Sequence, residues 1–201
     1  MQKKHKIIFG LITLTGIGIY AYQRTRKKTT TGGSSQLNVL VNKNISAKFA
    51  KDNEKYISNL NPEAKATFVS FLNDISKLGY AVVITSGYRA SKEQAALKKQ
   101  NSKNASPGFS THEYGIGLDI NLVKDGKWIN KKSPLATWNK TGVVDLAKNK
   151  YNMRWGGDFK GYLDPVHFDL GNKYDVNKLY SKALAIYGSA SNIQGNKLKL
   201  V

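Results

Sequence analysis

Apolar and polar positions follow several rhythms along this chain. Ile7 to Tyr22 is an uncharged, mostly apolar run, preceded by Lys3, Lys4 and Lys6 and followed by Arg24, Arg26, Lys27 and Lys28. As a helix it reaches about 24 Å, slightly short of a roughly 30 Å hydrocarbon core, with Tyr20, Tyr22 and the long basic side chains as end anchors. The pattern predicts a signal-anchor or signal peptide over residues 1–28. Ala21-Tyr22-Gln23 is a poor small-residue cleavage site, which favours retention as a single-pass membrane anchor. Basic residues on both flanks leave its orientation open. Residues 29–36 read as a Thr/Gly/Ser-rich flexible linker.

A folded domain is predicted over 37–188. Asn61-Pro62-Glu63 supplies a cap, a proline at the first helical position and an acid in the first turn. Phe68, Phe71, Leu72, Ile75 and Leu78 then recur at helical spacing until Gly79, predicting a core helix. Tyr80 to Thr85 is a β-branched strand pattern that ends in Ser86-Gly87-Tyr88-Arg89, and Ser91 is placed to cap a helix over Lys92 to Gln100. Asn101 to Phe109 is a polar loop suited to a cleft rim. Beyond it, Leu118, Ile120 and Leu122 alternate with Asp119 and Asn121, and Val166, Phe168 and Leu170 alternate with His167 and Asp169. Both read as strands with one buried and one functional face. Trp128 to Trp138 resembles a turn-rich insertion, Val143 to Lys150 a short helix, and Trp155 to Phe159 a tight turn beside a groove. Lys173 to Tyr187 predicts a closing helix, and 189–201 a mobile tail.

Composition narrows the picture modestly. The absence of cysteine removes disulfide frameworks and thiolate metal sites. The net charge of +19 raises nucleic acid as a partner. Seven Lys/Arg and no acids fall in residues 1–28, and the remaining 25 against 13 Asp/Glu are spread without an arginine-rich tract. No specific nucleic-acid partner is expected; a solvated lysine-rich surface, attracted to anionic walls or lipids, fits better.

Chemistry concentrates in Ser110-Thr111-His112-Glu113-Tyr114-Gly115-Ile116-Gly117-Leu118-Asp119 and in Asp164-Pro165-Val166-His167. Two histidines and two carboxylates at these spacings are the parts of a catalytic zinc site: three ligands, an open position and a base. In an unbroken strand His112 and Asp119 would face opposite ways, so the chain must turn between them, and Gly115 and Gly117 permit it. Pro165 biases Asp164 to an extended or turn conformation just before the His167 strand. Asp164 thereby suits the base and His167 a ligand. Arg89, at a strand-to-helix turn, is placed to hold a carboxylate or a developing oxyanion. Asp169 is a candidate to orient the His167 imidazole, and Asp158 and Tyr114 are groove candidates.

The pattern Ser110-x-His112-x-x-Gly115-x-Gly117-x-Asp119 resembles the signature of the zinc D-alanyl-D-alanine carboxypeptidases and L-alanyl-D-glutamate endopeptidases of cell-wall metabolism, phage endolysins included. Ser86 to Arg89, Trp155 to Asp158 and Asp164-x-x-His167-Phe168 follow in that family's order, over roughly residues 61–172. Gly117 stands where alanine is usual, a small-for-small change expected to leave the strand intact. Asp at 164 and Trp-Gly-Gly-Asp look like the endopeptidase branch. The resemblance implies an α+β fold of the hedgehog/D,D-peptidase type, a small antiparallel sheet flanked by helices. It implies Zn2+ bound by His112, Asp119 and His167, Asp164 as proton carrier, Arg89 on the substrate carbonyl and Ser110 on substrate. The expected function is hydrolysis of an amide bond in the peptide stem of peptidoglycan, at the cell envelope on a membrane-tethered or secreted protein. A zinc-bearing wall-binding module without turnover is the alternative.

Overall fold

The computed structural model describes residues 45–201. The predicted anchor and linker lie outside them, and no helix among the described residues is long and apolar enough to cross a membrane.

The first element among the described residues, α1 (Ala47–Ser58), was not foreseen. Ser46 caps it by accepting from the Phe49 N–H. A polar residue, Asn53, breaks its apolar stripe, yet Asn53 is buried. Its side-chain amide donates to the Val82 carbonyl at 2.8 Å and accepts from the Ile84 N–H at 2.7 Å, standing in for a neighbouring strand on β1 (Ala81–Ser86). Helix α2 (Pro62–Lys77) is the predicted core helix, with Phe68, Phe71, Leu72 and Ile75 buried. Leu78 differs from expectation: it is the C-cap and is 41% exposed. Ala90, not Ser91, caps α3 (Ser91–Gln100), and its N–H is held by the Glu93 carboxylate.

The sheet contains β2 (Gly117–Lys124), β3 (Lys127–Ile129), β4 (Arg154–Trp155) and β5 (His167–Asp169) with β1, in the order β1-β2-β5-β4, all neighbours antiparallel. The end of β2 also pairs with β3 through a tight hairpin at Asp125-Gly126, both at positive φ. That turn pair is a hairpin signal by itself, and β3 takes the first two residues of the stretch expected to be a turn-rich insertion. Short helix α4 (Leu135–Asn139) buries Trp138, whose indole N–H donates to the Asn130 carbonyl. Helix α5 (Val143–Asp145) continues into a π turn over Leu146–Lys150. Helix α6 (Val176–Tyr187) closes the sequence of long elements.

Alternation along β2 fixes what each face does. Leu118, Ile120 and Leu122 join Val82, Ile84 and Phe168 beneath α2 in the main core. On the other face Ala81, Val83 and Val123 are covered by Ile45 and Phe49. Asp119 shares that second face beyond the cover, so one end of it is closed and the other is free for chemistry. This is the predicted α+β arrangement of a small antiparallel sheet flanked by helices.

Residues 189–201, predicted to be a mobile tail, instead pack. Ile193, Leu198 and Leu200 are buried. The Asn61 side chain donates to the Leu198 carbonyl at 2.8 Å, and Glu63 accepts from the Leu200 N–H at 3.2 Å.

Candidate metal centre and active-site cleft

Three local devices bring the candidate ligands together. His112 sits in a short 3-10 turn, Thr111–Tyr114, which Gly115 ends at φ +64°. A side chain at 115 would also meet the Asn61 backbone nitrogen at 2.5 Å, so glycine is required twice over. Asp119 and His167 are direct cross-strand partners on β2 and β5. Opposite Asp119, β1 carries an extra residue between Ile84 and Ser86, a bulge of the kind that re-aims side chains next to active sites.

The result is a triangle of donor atoms. His112 Nε2 lies 3.2 Å from Asp119 Oδ1 and 3.2 Å from His167 Nδ1, and the latter two are 2.9 Å apart. The outer nitrogens fix the tautomers a metal requires. His112 Nδ1 donates to the Gly87 carbonyl at 2.7 Å, and His167 Nε2 to Asp169 Oδ2 at 2.8 Å. Three lone pairs thus converge with no proton among them once both imidazoles are neutral, an arrangement that calls for a cation. Zinc bonds of roughly 2.0–2.1 Å at tetrahedral angles put ligand atoms about 3.3 Å apart. The donor set fits zinc.

Electrostatics point the same way. Burial opposes ionisation of Asp119, but His112 and His167 outweigh it and hold the carboxyl well below its usual range. Burial also disfavours the His167 imidazolium, yet Asp119 and Asp169 raise its pKa to about 10. The metal-free centre therefore holds a proton where a cation would bind.

Behind His167 stands a clamp that the sequence only half disclosed. Asp169 is fully buried and accepts from Arg154 Nε and Nη2, both at 2.8 Å, and from the Gly171 N–H at 2.8 Å. Burial would raise the Asp169 pKa; the hydrogen bonds from His167 and Arg154 prevail and keep it well below the ordinary carboxylate range. Thr111 Oγ1 adds a 3.3 Å bond to Asp169 Oδ2. The Thr111 side chain also fills the space beside Gly117, where a Cβ would lie 2.7 Å from Thr111 Oγ1 and 3.2 Å from His167 Cε1. The strand begins at Gly117 and is intact, as expected, although an alanine there would be a tight fit.

The triad opens into a cleft of about 700 Å³ that Arg89, Ser110 and Asp164 also line. Arg89 Nη1 donates to the Gln94 side chain at 2.8 Å and Nη2 to Ser86 Oγ at 3.0 Å. Gln94, buried and itself bonded to the Ala105 carbonyl, was not singled out in the sequence. Buried Glu113 was also missed; its carboxylate gathers the Gly108 and Ser110 N–H groups and so shapes the rim. The Trp-Gly-Gly-Asp turn is explained by contact: a Cβ on Gly156 would lie 2.2 Å from the Asp164 carbonyl oxygen. That close approach lets the Asp164 N–H donate to the Gly156 carbonyl at 2.9 Å. Asp158 and Tyr114 are not part of the cleft. Asp158 pairs with Lys148 on the surface, and Tyr114 is buried with its hydroxyl on the Gly108 carbonyl.

A buried two-histidine, one-carboxylate centre opening into a cleft with a further carboxylate and an arginine is the equipment of a metal-dependent hydrolase. Residues 103–170 match the family described as D-alanyl-D-alanine carboxypeptidase. The peptidoglycan L-alanyl-D-glutamate endopeptidase CwlK of Bacillus subtilis (strain 168) is 31% identical over 127 residues, covering 56% of this chain and 74% of CwlK. The crystal structure of Serratia marcescens L-Ala D-Glu endopeptidase ChiX aligns with 67% of this chain and 95% of its own, at a TM-score of 0.47 and 18% identity. The chain belongs to the family of cell-wall peptidases that includes these carboxypeptidases and endopeptidases.

Proposed function

We propose that this protein hydrolyses an amide bond in the peptide stem of peptidoglycan, using zinc held by His112, Asp119 and His167. The observation that carries this reading is the donor triangle of 2.9–3.2 Å at the floor of a cleft that Asp164 and Arg89 share. Zinc bound there would supply Lewis acidity and lower the pKa of a coordinated water.

The chain's own residues divide the remaining work. Asp164 accepts a proton from the attacking water and returns one to the leaving amine. Its backbone is fixed on both sides, by its N–H to Gly156 and by its carbonyl, which accepts from the His167 N–H at 2.9 Å. Arg89, steadied by Gln94 and Ser86, donates to the substrate carbonyl as negative charge builds on it. Ser110 lines the cleft and is placed to meet the substrate. Asp at 164 and the relatives named above favour the L-alanyl-D-glutamate bond. The predicted anchor and the cationic surface suit a domain held outside the cytoplasm against an anionic wall.

Mass spectrometry of peptidoglycan incubated with the protein, with zinc or with chelator, tests this. New amino and carboxyl ends that appear only with zinc are expected. Their absence from several wall types, with zinc bound and the domain folded, would overturn the reading in favour of a wall-binding module.

A further inference from the structure

One cation in the cleft stands beside the proposed base. Lys131 Nζ lies 3.2 Å from Asp164 Oδ1, an oxygen that is buried and takes no hydrogen bond among the described residues. The ammonium also donates to Tyr162 Oη at 2.9 Å. Of its three N–H groups, one is used by Tyr162, one faces Asp164 and the third has no hydrogen-bond partner among the described residues. The side chain is half exposed, whereas the backbone beneath it is fixed: Asn130 Oδ1 accepts from the Lys132 N–H, and the Asn130 carbonyl accepts from buried Trp138. Lys131 and Asp164 line both the main cleft and a second, polar groove of about 460 Å³, so they stand where the two meet.

Resting on the peptidase reading above, we infer that Lys131 selects substrates whose leaving residue carries a free α-carboxylate. When Asp164 returns a proton, the leaving nitrogen lies within hydrogen-bond reach of it, about 2.6–3.2 Å. An α-carboxylate carbon is two bonds from that nitrogen, which places its oxygens roughly 3 Å away. A free α-carboxylate on the leaving residue is thus carried to the ammonium that neighbours the base. Within a stem, two kinds of residue meet this condition: a D-glutamyl residue linked onward through its side-chain carboxyl, and a C-terminal D-alanine. A residue in an ordinary α-linked peptide, or one amidated at that position, has no charge to offer. Of the other cations that line the cleft, Lys103 and Lys160 form no ion pair with Asp164 among the described residues. Arg154 is committed to Asp169, and Arg89 is held by Gln94 and Ser86.

The test uses the zinc-loaded full chain and a stem pentapeptide in three forms: unmodified, amidated at the D-glutamyl α-carboxyl, and amidated at the C-terminus. Mass spectrometry identifies the bond cut, and kcat/KM is compared between free and amidated leaving residues. The expected preference of the parent for the free carboxylate is about tenfold or more. Lys131→Met should bring that ratio to within about threefold of unity, and Lys131→Arg should keep it. Equal cleavage of both forms by the parent, or a preference that survives in Lys131→Met, overturns the inference alone. No cleavage of any form by the zinc-loaded parent overturns the peptidase reading and this inference with it.

Discussion

Gly156→Ala isolates the contact that positions the proposed base. A Cβ at 156 would lie 2.2 Å from the Asp164 carbonyl oxygen and 2.9 Å from His167 Cβ, where contacts under 3.0 Å are essentially never found. The Asp164 segment must therefore retreat by about 0.8 Å, and the contact is with backbone, which cannot rotate away. Because the same carbonyl accepts from the His167 N–H, the retreat strains the proposed metal ligand as well as the proposed base. Overpacking of this kind costs about 1–3 kcal/mol, and a protein of this size loses roughly 2–4 °C of Tm per kcal/mol. The rate should suffer more, since a displacement near 1 Å of a catalytic group costs on the order of 100-fold. The assay is kcat on a soluble stem peptide at saturating zinc, with zinc stoichiometry and a thermal melt on the same sample. Gly126→Ala is the control, because φ there is +72° but nothing lies within 4 Å of the added Cβ. It should lose about 1 kcal/mol through backbone strain and leave kcat intact. A Gly156→Ala protein that keeps kcat within threefold of the parent, with zinc bound, would refute the claim that this turn positions Asp164.

Asp164→Ala should lower kcat by about 100- to 10,000-fold while zinc content by mass spectrometry stays at the parent level; loss of metal instead would make it a ligand. Arg154→Met leaves Asp169 without its bidentate partner and should weaken zinc affinity about 10- to 100-fold in a chelator competition, with little loss of kcat at saturating metal. The metal-free protein should lose stability at high pH. The folded pKa of His167, about 10, lies above its ordinary 6.5, so that contribution is complete below about pH 6.5 and vanishes as pH rises through about 10. Urea unfolding of chelated protein at the two ends of that range reads it out, and zinc binding near neutral pH should release a proton from the same imidazole. Gly117→Ala should cost about 1–3 kcal/mol in the same unfolding assay, and adding Thr111→Ala should recover part of it.

The candidate ligands stood out in the sequence because their chemistry is rare here: the chain has only three histidines, and two of them stand at the motif spacings. Strand alternation added the face, since burial of Leu118, Ile120 and Phe168 forces Asp119 and His167 to the opposite side. Lys131 had no such signal. It is one of many lysines, and what distinguishes it is a 3.2 Å approach to a carboxylate 33 positions away, set by a hairpin and by Trp138. Arg154 was hidden for the same reason, because its partner Asp169 lies across a strand pair.

Polar residues that replace apolar ones in packing hid the rest. Asn53 interrupts the apolar stripe of α1, so periodicity does not register that helix, yet its amide completes the edge of β1 and is buried for that purpose. The last residues were opaque for a related reason: Ile193, Leu198 and Leu200 follow no period, and the segment is tied down by the Asn61 side chain. That tie reaches the metal centre. The Asn61 backbone N–H donates to the Gly115 carbonyl at 3.1 Å, directly behind the turn that presents His112. Gly195 packs so closely on that turn that a Cβ would lie 2.3 Å from the Glu113 carbonyl oxygen. A segment with no chemistry of its own thus backs the one short turn whose backbone angles decide where His112 points, and a site built on a four-residue turn needs that support more than one built on a long strand does.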